Sequence, residues 1–172
     1  MSVDTSANTG LVIRLAKRAD VPHVVGLLAN DSLGATRETV AGTTPDAYFA
    51  AFAAIAADVN NELIVVDRNG TIVGCLQLTF IPGLSRSGML RGQIEAVRVA
   101  ESERGHGLGR RLFEWAFERA RQRGCGLVQL TTDKKRAGAH RFYESLGFVA
   151  SHEGMKLSLA PPEAERRQGS DD

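Results

Sequence analysis

The sequence contains no long hydrophobic run, and none of its apolar stretches approaches the roughly 18–20 residues that a membrane-spanning helix needs. No membrane association is expected. Excess charge is also missing. Lys and Arg total 21 against 20 Asp and Glu, a net charge of +1, which gives no reason to expect a nucleic-acid partner. Cysteine is scarce: Cys75 and Cys125 have no His or Cys neighbours at metal-ligand spacing. Each sits among apolar residues, so both are expected to be buried reduced thiols and no metal is expected. Residues 1–10 are polar, with neither a basic n-region nor an apolar h-region. The expectation is a cytoplasmic protein.

Present instead is the balance of a globular domain, with 43% hydrophobic and 24% charged residues over 172 positions. The length suits one domain. Its expected extent is 10–160, with disordered tails at 1–9 and 161–172, where small polar residues, proline and charge replace apolar periodicity.

The elements follow from local pattern. Leu11–Leu15 suits a first strand. Asp20 offers an N-cap ahead of Val21-Pro22, and Val24, Val25, Leu27 and Leu28 make the next segment an amphipathic helix. Residues 30–45 are rich in turn formers and are expected to form a mobile connection. Phe49, Phe52 and Ile55 recur at helical spacing between Pro45 and Asp58. Leu63–Asp67 and Ile72–Phe80 flank Asn69-Gly70, a strong hairpin signal. Gln93–Val99 is a further strand, and Leu108–Arg123 a helix with Leu112, Phe113, Ala116, Phe117 and Ala120 on one face. Leu127–Thr131 reads as a strand and Ala137–Leu146 as a helix. Phe148–Ser151 and Met155–Leu159 read as a closing strand pair. A hairpin feeding βα units implies an α/β fold, a mixed sheet of about seven strands flanked by four helices.

The most informative stretch runs from Glu95 to Val99 and on to Arg104-Gly-His-Gly-Leu-Gly109, which opens a helix. A glycine-rich turn at a helix N-terminus exposes backbone N–H groups in a positive potential. Glycine at 105, 107 and 109 lets a phosphate approach, and Arg104, Arg110 and Arg111 add charge. A diphosphate fits such a turn. The spacing G-x-G-x-G departs from the dinucleotide fingerprint G-x-G-x-x-G, and Arg110 stands where a nucleotide P-loop needs Lys. A purely steric tight turn is the alternative reading.

A second segment narrows the choice. Arg104, Gly107 and Gly109 match the signature Gln/Arg-x-x-Gly-x-Gly/Ala, while Ala139, Phe142, Tyr143, Gly147 and Phe148 match Ala-x-x-Phe-Tyr-x-x-x-Gly-Phe. On these residues the chain resembles the GNAT superfamily of acetyl-coenzyme A-dependent N-acetyltransferases over 11–159. The resemblance implies a GNAT-like fold and acetyl-CoA as cosubstrate, held where Gln93–Val99 and Leu127–Thr131 splay apart. It assigns the backbone of Val97 and Val99, with Arg98 between them, to the thioester and pantetheine arm. The Val97 N–H would polarise the acetyl carbonyl. The pyrophosphate falls to Arg104, Gly105, His106, Gly107, Leu108, Gly109 and Arg110. Arg136 stands where the family often has Asn; with Lys134 and Lys135 it would either meet coenzyme phosphates or form a solvated basic turn.

The same resemblance assigns catalysis to Glu95 and Tyr143. Glu95 would accept the amine proton, often through water, and Tyr143 would donate to the departing thiolate. In a regular strand Glu95, Val97 and Val99 share a face. The alternatives are a structural Glu95 and a core Tyr143 beside Phe142. His106 is expected to point its ring outward. The acceptor site is expected from Asn30–Pro45, Ile81–Arg91 and Ser151–Gly154, which carry Asp31, Arg37, Glu38, Arg86 and Arg91. The leading expectation is a small-molecule amine acetylated directly. Protein lysines or N-termini, and a non-catalytic acyl-CoA sensor, are the alternatives. A homodimer is also expected from the family.

Overall fold

Five strands form a single sheet in the order β1-β2-β3-β4-β5. The computed structural model describes residues 10–30 and 44–159. Both expected tails, and residues 31–43 of the expected connection, lie outside the described residues. Strands β1 (Leu11–Leu15), β2 (Asn61–Arg68), β3 (Thr71–Ile81) and β4 (Leu90–Val99) pair antiparallel in succession, and β5 (Cys125–Leu130) pairs parallel with β4. Helices α1 (Val21–Ala29), α2 (Asp46–Ala57), α4 (Leu108–Gln122) and α5 (Ala137–Ser145) agree with the sequence reading. A single turn, α3 (Ser85–Gly88), interrupts the β3–β4 loop. The hairpin between β2 and β3 closes through Asn69 and Gly70, both at positive φ, as a primed turn requires.

The chain divides into two compact units, one through Thr132 and one from Asp133 onward. In the first, side chains alternate between two faces of the sheet. Ile64, Leu76, Leu78, Phe80 and Ile94 point to one face and are fully or almost fully buried, as are Leu112, Phe113, Ala116 and Ala120 of α4. Gly92 marks the contact between these layers: a Cβ there would lie 3.6 Å from both Ala120 and Leu78. The other face carries α1, whose Val24 packs with Val65, Ile72 and Cys75. Phe117, expected on the buried stripe of α4, is half-buried.

Ion pairs tie distant segments together. On the α4 face the Arg119 guanidinium donates through Nε to both oxygens of the buried Glu62, at 3.1 and 2.9 Å. On the α1 face Arg14 bridges Asp20 at 2.7 Å and Asp67 at 2.9 Å. Asp20 does not cap α1 as the sequence suggests. Its backbone is already helical, in a 3₁₀ turn (Arg18–Asp20) that runs into α1. Its carboxylate instead receives Arg14 and the Lys17 N–H, the latter at 2.7 Å.

The expected closing strands are not formed: Phe148–Ser151 and Met155–Leu159 carry no ladder, so the described residues hold five strands rather than about seven. The alternation Met155, Leu157, Leu159 suits a strand, but these side chains are 97%, 85% and 91% exposed. Period-two pattern states which face wants cover without supplying a partner.

Cys75 is fully buried, and burial pushes its thiol up to about 12. Cys125, expected to be buried as well, is half-buried at the start of β5. Thiolate is the reactive form.

Two outcomes follow from this packing. Asp20 lies below the usual carboxylate range, chiefly because Arg14 hydrogen-bonds its charged form. That stabilisation is complete above the unfolded value of about 3.9 and is lost as pH falls through the lower folded value. Asp20→Asn should therefore cost about 1–2 kcal/mol at neutral pH and flatten the loss of stability below about pH 4, read by urea melts across pH. Titration of the native protein with Ellman's reagent near pH 8 should show at most about one reactive thiol, and two after denaturation. Two fast native thiols would contradict the burial of Cys75.

Candidate active site

Strand β4 changes character halfway along. From Leu90 to Ile94 it is hydrogen-bonded on both sides, to β3 and in parallel to β5, and the β5 pairing ends at Ile94–Leu130. From Glu95 to Val99 its β5 side has no ladder partner, because β5 ends at Leu130. At the same point β4 also slips against β3. Glu95 faces Gln77 and Arg98 faces Cys75, leaving Ala96 and Val97 opposite the single residue Leu76. Ala96 takes φ 53°, the left-handed conformation that a non-glycine residue adopts only under constraint. This is a β-bulge, and it removes backbone polar groups from the ladder.

The bulge corrects the expectation that Glu95, Val97 and Val99 share a face. Glu95 pairs with Gln77 and Arg98 with Cys75, on the face that carries α1; Val99 pairs with Gly74, on the opposite face. Side-chain parity is therefore reversed between Glu95 and Val99. Glu95 is exposed, and it carries no hydrogen bond or ion pair among the described residues. Cys75 participates in a way the sequence did not suggest: its Sγ donates to the Ala96 carbonyl at 3.4 Å. The thiol thus meets the bulged residue's oxygen from the buried side. Only the fold could show this, because the two positions are 21 residues apart.

Beyond β4, a 3₁₀ turn (Glu101–Glu103) leads into the glycine-rich segment. Arg68 of β2 holds Glu103 at 2.8 Å, anchoring the segment's base. Gly105 and Gly107 have φ 78° and 79°, so both use the freedom that only glycine gives cheaply. Gly107 is the N-cap of α4 and supplies no side chain there. The first intrahelical bond is Arg111 N–H to the Gly107 carbonyl at 3.1 Å. The amides of Leu108 and Gly109 lie ahead of it and find no carbonyl within the helix. Gly105, His106, Gly107 and Arg110 are exposed, Gly109 is half-buried and Leu108 is buried. This cradle fits a diphosphate: amide donors, a positive helix end and no Cβ at the two left-handed positions.

Arg104, expected near the phosphates, directs its side chain elsewhere. Its Nε donates to the Val99 carbonyl and its Nη2 to the Asn30 carbonyl, both at 3.3 Å. It therefore joins the end of β4 to the C-terminal end of α1. Arg98 donates from Nη1 to the Val97 carbonyl at 2.8 Å. No group of three or more metal-binding side chains is found among the described residues, and no helix there is long and apolar enough to cross a membrane.

Arg136 and Tyr143 belong to the second unit. Arg136 is the N-cap of α5, and its N–H donates to the Asp133 carbonyl at 3.0 Å. Lys134 pairs with Glu153 at 3.0 Å on an exposed surface. Tyr143 is half-buried between Phe142 and Phe148, with ring centroids 5.6 and 6.0 Å away. The Phe148 N–H returns to the Tyr143 carbonyl at 3.1 Å and Gly147 takes φ 92°, closing the helix around the tyrosine. His140 Nε2 lies 3.2 Å from the Asp133 carbonyl oxygen.

Comparison with known proteins agrees with this geometry. The acetyltransferase (GNAT) family profile matches residues 30–148. The aminoalkylphosphonate N-acetyltransferase of Salmonella typhimurium is 39% identical over 101 residues, covering 59% of this chain and 65% of the relative. The glucosamine 6-phosphate N-acetyltransferase of Trypanosoma brucei brucei is 41% identical over 103 residues, covering 60% and 68% respectively. The chain thus spans about two thirds of the length of these relatives. The crystal structure of a transcriptional regulator from Bacillus halodurans C-125 superposes with a TM-score of 0.84 at 50% identity, covering 87% of this chain and 99% of that one. With most of its length matched by the family profile, the chain belongs to the acetyltransferase (GNAT) family.

Proposed function

We propose that residues 10–160 work as an N-acetyltransferase domain that moves the acetyl group of acetyl-CoA directly onto the primary amine of a small molecule. The observation that carries this reading is the coincidence of two features on β4: the parallel ladder ends at Ile94–Leu130, and the bulge at Ala96 follows at once. Together they give a strand segment with no strand partner on its β5 side, leading into an amide cradle suited to a pyrophosphate.

Acetyl-CoA supplies an activated acyl group as its thioester. The Val97 N–H is assigned to the acetyl oxygen, where negative charge grows as the amine nitrogen attacks. Val99 and Arg98 line the pantetheine arm. The amides from Gly105 to Arg110 bind the pyrophosphate, and Arg136 adds charge. Glu95, exposed and unpaired, accepts the proton that the amine must lose before attack. As the new N–C bond forms and the C–S bond breaks, Tyr143 protonates the thiolate.

The acceptor we favour is a small amine that also bears a phosphonate or phosphate. Two relatives, near 40% identity, are named for such compounds, an aminoalkylphosphonate and glucosamine 6-phosphate. A second reading, a non-catalytic acyl-CoA sensor, is favoured by the 50% identical relative described as a transcriptional regulator.

Turnover separates the two. Thiol release from acetyl-CoA should appear with 2-aminoethylphosphonate or glucosamine 6-phosphate and exceed that with peptide N-termini or lysine peptides. Tyr143→Phe and Glu95→Gln should each lower kcat by about 10²-fold, within the range that acid–base groups contribute. Coenzyme binding without turnover on any amine would favour the sensor. Absence of both in folded protein would overturn both readings.

A further inference from the structure

The α1 face of the sheet is apolar where α1 covers it and polar beyond. Cross-strand register sets out three successive rows there. Gln77 stands beside Glu95; Asn61, Thr79, Gln93 and Gln129 form the next row across four strands; Arg91 follows, between Ile81 and Leu127. Gly92 and Ile94, between these β4 residues, point to the buried α4 face, so the parity of Arg91, Gln93 and Glu95 is settled. The middle row is preorganised. Gln77 and Thr79 donate to Asn61 Oδ1 at 2.9 and 3.0 Å, and Gln129 donates to Gln93 Oε1 at 2.8 Å. Half-buried strand positions beside a core seldom carry this much hydrogen-bonding capacity without something to bind.

Arg91 gives the row its polarity. Its Nε is buried from solvent and meets no acceptor, and no ion pair involves Arg91 among the described residues. Other arginines of this unit hold carboxylates: Arg14, Arg68 and Arg119 pair with Asp20, Glu103 and Glu62. Glu95, the nearest carboxylate along the strand, is four residues away, about 13 Å between Cα positions. That is too far for a direct pair and matches the span of a short molecule with a cation at one end and an oxyanion at the other.

We infer that Arg91, with Gln93 and Gln129, is the subsite for an oxyanion carried by the acceptor amine, whose ammonium end lies toward Glu95. The inference rests on the acetyltransferase reading for the role of Glu95. A guanidinium with an open Nε edge takes a tetrahedral or planar oxyanion through two parallel N–H bonds. The neighbouring amides donate to a third oxygen or to a hydroxyl. Phosphonate, phosphate monoester and carboxylate share this chemistry, and the dianionic phosphorus groups gain more from one half-buried cation.

The test pairs a kinetic arm with a binding arm. For wild type, Arg91→Gln and Arg91→Lys, kcat/KM is measured with 2-aminoethylphosphonate, 3-aminopropionate and the neutral amine propylamine. Arg91→Gln should reduce the preference for 2-aminoethylphosphonate over propylamine by about 10- to 100-fold, mainly through KM, as expected for a lost charged hydrogen bond. Arg91→Lys should restore part of it. A ratio between phosphonate and carboxylate acceptors well above one identifies phosphorus as the preferred source. Equal losses on all three acceptors would make Arg91 structural and overturn the inference. Calorimetry with methylphosphonate alone needs no turnover: binding to wild type that is lost in folded Arg91→Gln supports the subsite, and no binding to wild type overturns it. Should no amine be acetylated, the acetyltransferase reading fails, and the calorimetric arm still decides the oxyanion subsite.

Discussion

The left-handed Ala96 is the constraint around which the first unit is arranged. One extra residue in β4 opposite Leu76 costs about 1–2 kcal/mol of backbone strain at a non-glycine position. The surrounding structure over-determines it. Leu76 and Ile94 are locked in the core on either side of the slip, and Cys75 meets the displaced carbonyl from within. On the other edge β5 has already stopped pairing, so no ladder there pulls the strand back into register. Removing Ala96 or Val97 would relieve the strain and leave Glu95 opposite Gln77 and Val99 opposite Gly74, whereas straightening β4 at its present length would put Glu95 and Val99 on one face.

The electrostatics of the unit serve the same segment. Arg68 holds Glu103 just below the glycine-rich turn, and Arg104 binds the Val99 and Asn30 carbonyls just above it. These contacts fix the base of the turn from Val99 to Arg104, where the Ala100, Glu103 and Arg104 N–H groups already donate to the Val73, Ala100 and Glu101 carbonyls. With the Arg104 side chain on these carbonyls, the turn presents backbone donors and a helix end whose positive potential favours an anion without side-chain ordering.

Much of this was legible in the sequence. Asn69-Gly70 declared the hairpin, the apolar stripe from Leu112 to Ala120 declared α4, and Gly105 and Gly107 stand where positive φ is needed. What failed did so for physical reasons. Asp20 has the composition of an N-cap, but Arg14, brought close by the β1 turn, offers the carboxylate a stronger partner than a backbone amide. The alternation at Met155–Leu159 predicts a face, while a strand exists only where a neighbour supplies hydrogen bonds. The bulge was invisible because nothing in Glu-Ala-Val-Arg-Val departs from strand composition; the slip is decided by cross-strand packing at Leu76. Arg104 was read from its charge and its place in the family signature, and the carbonyls its side chain meets come from residues 5 and 74 positions away.

The bulge also divides labour along β4. Before it, the strand is regular and presents Arg91, Gln93 and Glu95 on one face, at the ordinary two-residue spacing. After it, the ladder to β5 is gone, and the Val97 and Val99 carbonyls are met instead by the Arg98 and Arg104 side chains. On the proposed reading the strand offers side chains to the acceptor and main chain to the coenzyme, with Glu95 at the join. There its carboxylate would meet the attacking nitrogen with no ion pair to break first, and its exposure would keep water within reach for the proton to leave. On the same reading, the polar residues on the α1 face beyond α1 would give a ligand that meets Glu95 from that side a floor that hydrogen-bonds, where an apolar floor would select against any amine carrying a second charge.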